Sequence, residues 1–150
     1  LNIAQNIGEQ KGKGGEFTIK WKPQPNISID SSVSVLSAKD ELQNNLADVP
    51  LKMAYVGLNW QFANNWHWSL DAKWIANRKR AQGDQRAELP NYLYATTKLG
   101  RENIFPKLSV GLTVKNLLDD NDAREPSNGS IPEDYPIAGR QLMLELDYKF

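Results

Sequence analysis

Counted back from Phe150 in steps of two, the chain reads Phe150, Tyr148, Leu146, Leu144, Leu142, all apolar or aromatic. The residues between them, Lys149, Asp147, Glu145, Met143 and Gln141, are polar except for Met143. Side chains of a strand alternate between two faces, whereas a helix would mix these two sets around its circumference. The spacing therefore predicts a strand over 139–150 with one apolar and one wet face.

The same alternation recurs upstream. A strand is predicted over 6–22, with Phe17, Ile19 and Trp21 opposite Glu16, Thr18 and Lys20. Pro23 to Asn26 reads as a tight turn, since proline fixes φ and cannot donate to a ladder. Strands are then expected over 26–37, 52–62 and 66–78. In the last of these Trp66, Trp68, Leu70, Ala72, Trp74 and Ala76 share a face, and Ile75 breaks the pattern. Ala63-Asn64-Asn65 is a hairpin turn, because Asn tolerates positive φ. Residues 90–101 form a strand whose facing stays open, since Tyr92 and Tyr94 oppose Leu93, Ala95 and Leu99. Glu102 to Pro106 reads as a short turn. Residues 107–116 alternate cleanly, with Leu108, Val110, Leu112 and Val114 against Ser109, Gly111, Thr113 and Lys115. Three polar stretches, 38–51, 79–89 and 117–138, are long loops; 39–47 also admits a short helix.

These seven strands are joined short, long, short, long, short, long. Greek-key sandwiches lack that rhythm, whereas membrane barrels have short periplasmic turns and long outer loops. Trp21, Trp60, Trp66 and Trp68, with Phe62 and Phe105, crowd the short turns, as interface aromatics do. Trp74, Tyr92 and Tyr55 are expected at the other boundary. Strands of about 10–12 residues, tilted by about 40°, cross a hydrocarbon layer. The apolar sets, Leu108, Val110, Leu112 and Val114 with Leu142, Leu144 and Leu146, are accordingly the lipid-facing candidates. A soluble antiparallel sheet would share the alternation but not the turn–loop rhythm.

Composition narrows the function. Eighteen basic and eighteen acidic residues give no net charge, which argues against nucleic acid as a partner. With no cysteine there is no disulfide framework and no thiolate metal site. Mean hydropathy is −0.59, a polar value that a barrel permits because only half of each strand faces lipid. The chain begins with Leu1 and shows no signal peptide, so it reads as a piece of a longer protein. Seven is odd, and an open sheet in lipid leaves two unpaired edges, which points to further strands.

Two segments carry a family resemblance. Leu108 to Asp120, LSVGLTVKNLLDD, resembles the Asn-Leu-Phe/Leu-Asp segment of TonB-dependent outer-membrane receptors. Ile131 to Phe150, IPEDYPIAGRQLMLELDYKF, is similar to their last loop and last strand, which is entered through a Pro-Gly-Arg-like corner and ends on an aromatic. Gly14 to Pro25 is similar to their Gly-x-Glu strand. The chain departs from the family at Asp122, often Tyr there, and at Ala138, often Pro. The resemblance implies an all-β chain: an antiparallel up-and-down meander of about seven strands, the C-terminal portion of a transmembrane β-barrel of about 22 strands.

It further implies an outer-membrane receptor, not an enzyme, that takes up a scarce ligand such as an iron–siderophore complex, haem or cobalamin. Ligand would bind on the outer loops, 38–51, 79–89 and 117–138. The TonB complex would act through a plug and box that this chain lacks, so residues 1–150 would supply wall, lumen and loops. Tyr148 and Phe150 are similar to the signal read by the barrel-assembly machinery. The remaining partner is outer-membrane lipid, and no cofactor or metal is expected. A small structural barrel or passive porin, or a soluble β-sheet binding module, are the alternatives.

Two chemical readings are set aside. His67, Ser69 and Asp71 suggest a hydrolase, but residues two apart on a strand merely line one face, and catalysis needs geometry first. Asp119, Asp120, Asp122, Glu125, Glu133 and Asp134 offer hard oxygen ligands, yet lack the ordered spacing of a calcium loop.

Overall fold

The computed structural model describes residues 8–62, 65–127 and 132–150. The strands are β1 (Lys11–Gln24), β2 (Ile27–Lys39), β3 (Pro50–Phe62), β4 (Trp66–Arg78), β5 (Tyr92–Phe105), β6 (Leu108–Lys115), β7 (Arg124–Glu125), β8 (Tyr135–Pro136) and β9 (Gln141–Tyr148). Seven of them form one antiparallel meander in the order β1-β2-β3-β4-β5-β6-β9. β7 and β8 form a separate two-stranded ribbon inside the last long loop. The described residues contain no helix.

The cross-strand register settles the faces, because directly paired residues project to the same side. Phe17 pairs with Val33, Val33 with Ala54, and Ala54 with Trp74. Trp68 pairs with Leu99, Leu99 with Leu112, and Leu112 with Leu144. One face, hereafter the outward face, therefore carries an unbroken apolar band across all seven strands. Among the described residues nothing packs on it: Leu144 is 68% exposed and Phe17 66%. A single layer with an uncovered apolar face cannot be a soluble domain, which needs a second layer. On β4 the band runs from Trp66 to Trp74, about 27 Å along the strand, or about 20 Å when tilted by about 40°.

Several boundaries differ from the sequence-based expectation. Residues 8–10 are not in strand; β1 begins at Lys11 and continues through Pro23 to Gln24. The ladder shifts between Trp21 and Gln24, and an irregularity tolerates a residue with no N–H to donate. β5 runs on to Phe105 because a second shift, between Arg101 and Phe105 with Asn103 at φ 50°, absorbs the residues expected as a turn. The facing of 90–101 is now fixed: Leu93 pairs with Trp74, so Leu93, Ala95 and Leu99 are outward and Tyr92 and Tyr94 inward. Trp74 is outward as expected, but Tyr55 and Tyr92 lie on the inner face and mark no outer boundary. The short helix admitted at 39–47 is absent. Asp40 takes the Asn44 N–H at 2.8 Å, and Gln43 and Asp48 hold φ near 64°, which a helix forbids. Residues 6 and 7 of the expected first strand, Ala63 and Asn64 of the turn, and residues 128–131 of the last long loop lie outside the described residues.

Candidate functional site

All three long loops emerge at one end of the sheet, and they are joined to one another. The loop after β2 meets the loop after β4 through Asp48 N–H to the Lys79 carbonyl (2.7 Å) and the Asn44 side-chain amide to Gln82 (3.2 Å). The loop after β4 is fastened to the last loop by three arginines. Arg78, whose side chain is almost fully buried, donates to Glu125 (3.1 Å), the Pro90 carbonyl (3.2 Å) and the Arg124 carbonyl (2.6 Å). Arg80 makes a two-pronged bridge to Asp134 at 3.0 and 2.5 Å. Arg86 reaches Asp84, Asp134 and the Ser127 hydroxyl.

This network sits above a small apolar core. Ile75 and Tyr92, inward on adjacent strands, pack with Ala123 of the last loop, flanked by Tyr94 and Ile137. Ile75 broke the alternation of its strand for this reason: at the loop end the inner face is covered by protein. By alternation Arg78 would point outward with Trp74. Its guanidinium instead lies 5.1 Å over the Tyr92 ring, just beyond Asn77, whose φ of 58° turns the chain. Tyr92 in turn donates its hydroxyl to Glu125. The last loop is thus folded inward over the mouth of the inner face.

The ionic fastening shifts its own carboxylates. The Arg86 side chain, then its backbone N–H, hold Asp84 down at about 2. Arg80 depresses Asp134 in the same way. Between these loops Gln43, Asn44, Asn45, Lys79, Arg80 and Gln82 line an open pocket of about 350 Å³. Carboxamides and two cations dominate it, with no aromatic ring.

The two segments that carried the resemblance meet in space. Asn116 is fully buried; its amide donates to the Asp120 and Ala138 carbonyls (3.2 and 3.1 Å) and accepts the Asp120 N–H (3.1 Å). Asp119 accepts the Arg140 N–H at 3.0 Å and approaches its guanidinium at 3.3 Å. The Asn-Leu-Leu-Asp run and the Gly-Arg corner are therefore two halves of one clasp at the neck of the last loop.

Below the cap the inner face is polar. Tyr55 lies across Gly57 and donates to Asp71 at 2.5 Å. His67 lies against Gly100, and Lys98 pairs with Glu145. An open groove of about 330 Å³ there is lined by residues including His67, Lys98, Ser109, Glu145 and Asp147. His67, Ser69 and Asp71 do not converge: Asp71 is taken by Tyr55, and the Ser69 carbonyl accepts from Thr97. The acids of the last loop are likewise engaged separately, Asp120 by the Asp122 and Ala123 N–H groups, Glu125 by Arg78 and Asp134 by Arg80. Among the described residues no cluster of His, Cys, Asp and Glu could hold a metal.

The remaining candidates fall as follows. Leu108, Val110, Leu112 and Val114 pair directly with Tyr148, Leu146, Leu144 and Leu142, all on the outward face. Trp21, Trp60, Trp66 and Trp68 share that face at the short-turn end, where the Trp60 and Phe62 rings lie 4.8 Å apart. Tyr148 and Phe150 meet edge to face at 5.3 Å, with Phe150 fully exposed. Sequence reasoning missed Arg78, Arg80, Arg86 and Asn116. Only Asn116 left a signal, as the Asn of the Asn-Leu-Leu-Asp run.

Comparison with known proteins places this architecture. The ferric yersiniabactin uptake receptor FyuA from Yersinia pestis superposes with a TM-score of 0.78 at 20% identity, over 97% of this chain and 24% of the receptor. The copper transporter OprC superposes with a TM-score of 0.69 at 18% identity, over 95% of this chain and 24% of the transporter. The chain thus spans about a quarter of the length of either. No curated protein matches the sequence. The model of the outer membrane protein beta-barrel family matches residues 1–148. With its single-layered meander and uncovered apolar band, the chain belongs to that family and resides in the bacterial outer membrane.

Proposed function

We propose that residues 1–150 are the C-terminal wall of a TonB-dependent receptor. Its long-loop end faces the exterior and its apolar band faces hydrocarbon. The observation that carries this reading is the cap: the last loop is folded inward and fastened over the mouth of a polar inner face. A purely structural barrel has no use for such a mouthpiece, whereas a receptor needs a shaped surface between exterior and lumen. The fold shared with an uptake receptor and a transporter supports the same direction. Both are described with a transition metal, iron in one and copper in the other, which favours a metal ion or its chelate, with a ferric siderophore first, then haem or cobalamin.

In this reading Leu108, Val110, Leu112, Val114, Leu142, Leu144 and Leu146 touch lipid. Trp21, Trp60, Trp66 and Trp68 form the periplasmic girdle, and Tyr148 and Phe150 serve the barrel-assembly machinery. The strands missing between the β1 and β9 edges, a plug and the TonB contact belong to the rest of the receptor. No step of chemistry is assigned to the wall; it is not an enzyme.

The test is uptake of radiolabelled iron–siderophore by cells carrying the full-length protein, with and without a working TonB system. Energy-dependent uptake that falls when Arg80→Ala and Asp134→Ala loosen the cap supports a receptor. Flux of small solutes that ignores TonB and the cap would instead establish a passive porin.

A further inference from the structure

Where the first three strands pass beyond the apolar band at the long-loop end, lysines enter the outward face. The last row of the band is Phe17–Val33–Ala54–Trp74. One row beyond, Lys52 pairs with Val35 and Ala76; the next rows are Lys13 with Ser37 and Lys11 with Lys39. All four lysines fall on the outward face. The opposite face at this level carries Leu36 and the buried Ala38 and Ile75. Gly12 and Gly14 pair with Ala38 and Leu36 on the inner side, with the Leu36 side chain beside both, so their lysine neighbours project outward.

Acids border this patch only at its loop-end rim, where Glu9, Asp40 and Glu41 gather; Glu41 accepts the Glu9 N–H at 2.6 Å and Asp40 is engaged by Asn44. Glu16 and Asp30, the nearest strand acids, project inward. Among the described residues Lys13, Lys39 and Lys52 have no ion-pair partner, and residues 1–7 contain no acid. Lys11 meets only Glu9, at 3.4 Å, with both side chains about two-thirds exposed. Lys11 and Lys39 stand directly opposite, an arrangement that repels unless an anion lies between them. Lysine on an edge strand can serve to block aggregation, but Lys39 and Lys52 belong to the second and third strands. The rows are about 7 Å apart and the strands about 4.8 Å, so the four ammonium groups serve an area about 13 Å by 10 Å. They begin one row past Trp74, at the depth of lipid headgroups.

We propose that Lys11, Lys13, Lys39 and Lys52 bind the phosphate-bearing headgroup of an outer-leaflet lipid. This rests on the long-loop end facing the exterior. The lysine stems lie along the apolar wall while their charged ends reach the phosphates, as interfacial lysines do. The headgroup supplies the anion that Lys13, Lys39 and Lys52 lack, and the acyl chains continue down the band.

The test uses the full-length protein in phosphatidylcholine nanodiscs, with or without diphosphoryl lipid A or its dephosphorylated form. Diphosphoryl lipid A should raise the melting temperature and remain bound in native mass spectrometry; the dephosphorylated form should do neither. The triple variant K13Q/K39Q/K52Q should lose the response, and K13R/K39R/K52R should keep it, which separates lost charge from misfolding. An equal response in the glutamine variant, or the same shift with inorganic phosphate alone, overturns the proposal. A membrane-impermeant maleimide on Gln85→Cys in intact cells checks the orientation separately. Labelling with no lipid A response sinks the site alone, and no labelling sinks the orientation and the site with it.

Discussion

Asn116 combines two properties that no other side chain supplies together. Its backbone is left-handed, at φ 48°, and its amide fills three hydrogen bonds in a fully buried position. Asn116→Gly keeps the backbone and loses the bonds, at about 1–3 kcal/mol for the groups left unpaired. Asn116→Ala adds about 1–2 kcal/mol of left-handed strain. Urea unfolding of the full-length protein in micelles should therefore rank wild type above glycine above alanine; glycine equal to wild type would remove the clasp from the account. Gly57 makes a second residue-scale case. A Cβ there would strike the Tyr55 hydroxyl, which is held by Asp71. Gly57→Ala should cost about 1–3 kcal/mol by overpacking, and Tyr55→Phe in the same chain should recover part of it, because the hydroxyl makes the closest contact and Asp71 then no longer holds the ring. Neither role could be read from the sequence. Asn116 stood in a quotable run, but its partner Ala138 is remote in the chain, and Gly57 looked like a gap in an alternating strand.

Among the elements, the strands were legible and the loops were not, for one physical reason. A strand between two solvents must alternate, so its period is written locally, and six connections in strict short–long order followed from it. The cap is built from contacts between loops far apart in sequence, such as Arg80 with Asp134 and Arg86 with Ser127, and arginines in polar stretches carry no periodic signal. The ribbon of β7 and β8 was invisible for the same reason. Its fastening is ionic, which sets a pH dependence. Asp84 is held at about 2 by Arg86, and Asp134 is lowered by Arg80. The depressed Asp134 stabilises the docking of the two loops, and Asp84 the fold of its own loop, fully above the unfolded value of about 3.9; both contributions are lost as pH falls through the folded values. Spin labels at Gln85→Cys and Glu133→Cys should report one narrow distance above about pH 4 that broadens toward pH 2. Asp134→Asn should broaden it at neutral pH. A distance indifferent to both would mean that apolar packing around Ile75 and Ala123, not charge, holds the cap.

For the whole molecule, the decisive property is that the two sides of one sheet meet different surroundings, and that the pairing changes along the strands. Through the band the outside is apolar and the inside polar. At the loop end lysines stand outside, and Ile75, Tyr92 and Ala123 form a core inside. A sheet of this kind has no centre of its own; its order depends on lipid on one side and on closure at the β1 and β9 edges, where unpaired groups in hydrocarbon cost several kcal/mol each. Facing can be tested by moving one charge by one residue. Leu144 pairs with Leu112 on the outward side, and Met143 pairs with Thr113 on the inward side. Glu145 is a poor inward control, because an arginine there would confront Lys98. Leu144→Arg should weaken insertion by about 2–4 kcal/mol if it lies near the bilayer midplane. Met143→Arg enters a polar lumen and should cost far less. Heat-modifiable gel migration of the full-length variants after insertion reads the difference. Equal losses at both positions would mean that both faces meet protein, and the apolar band would then have to be a buried interface.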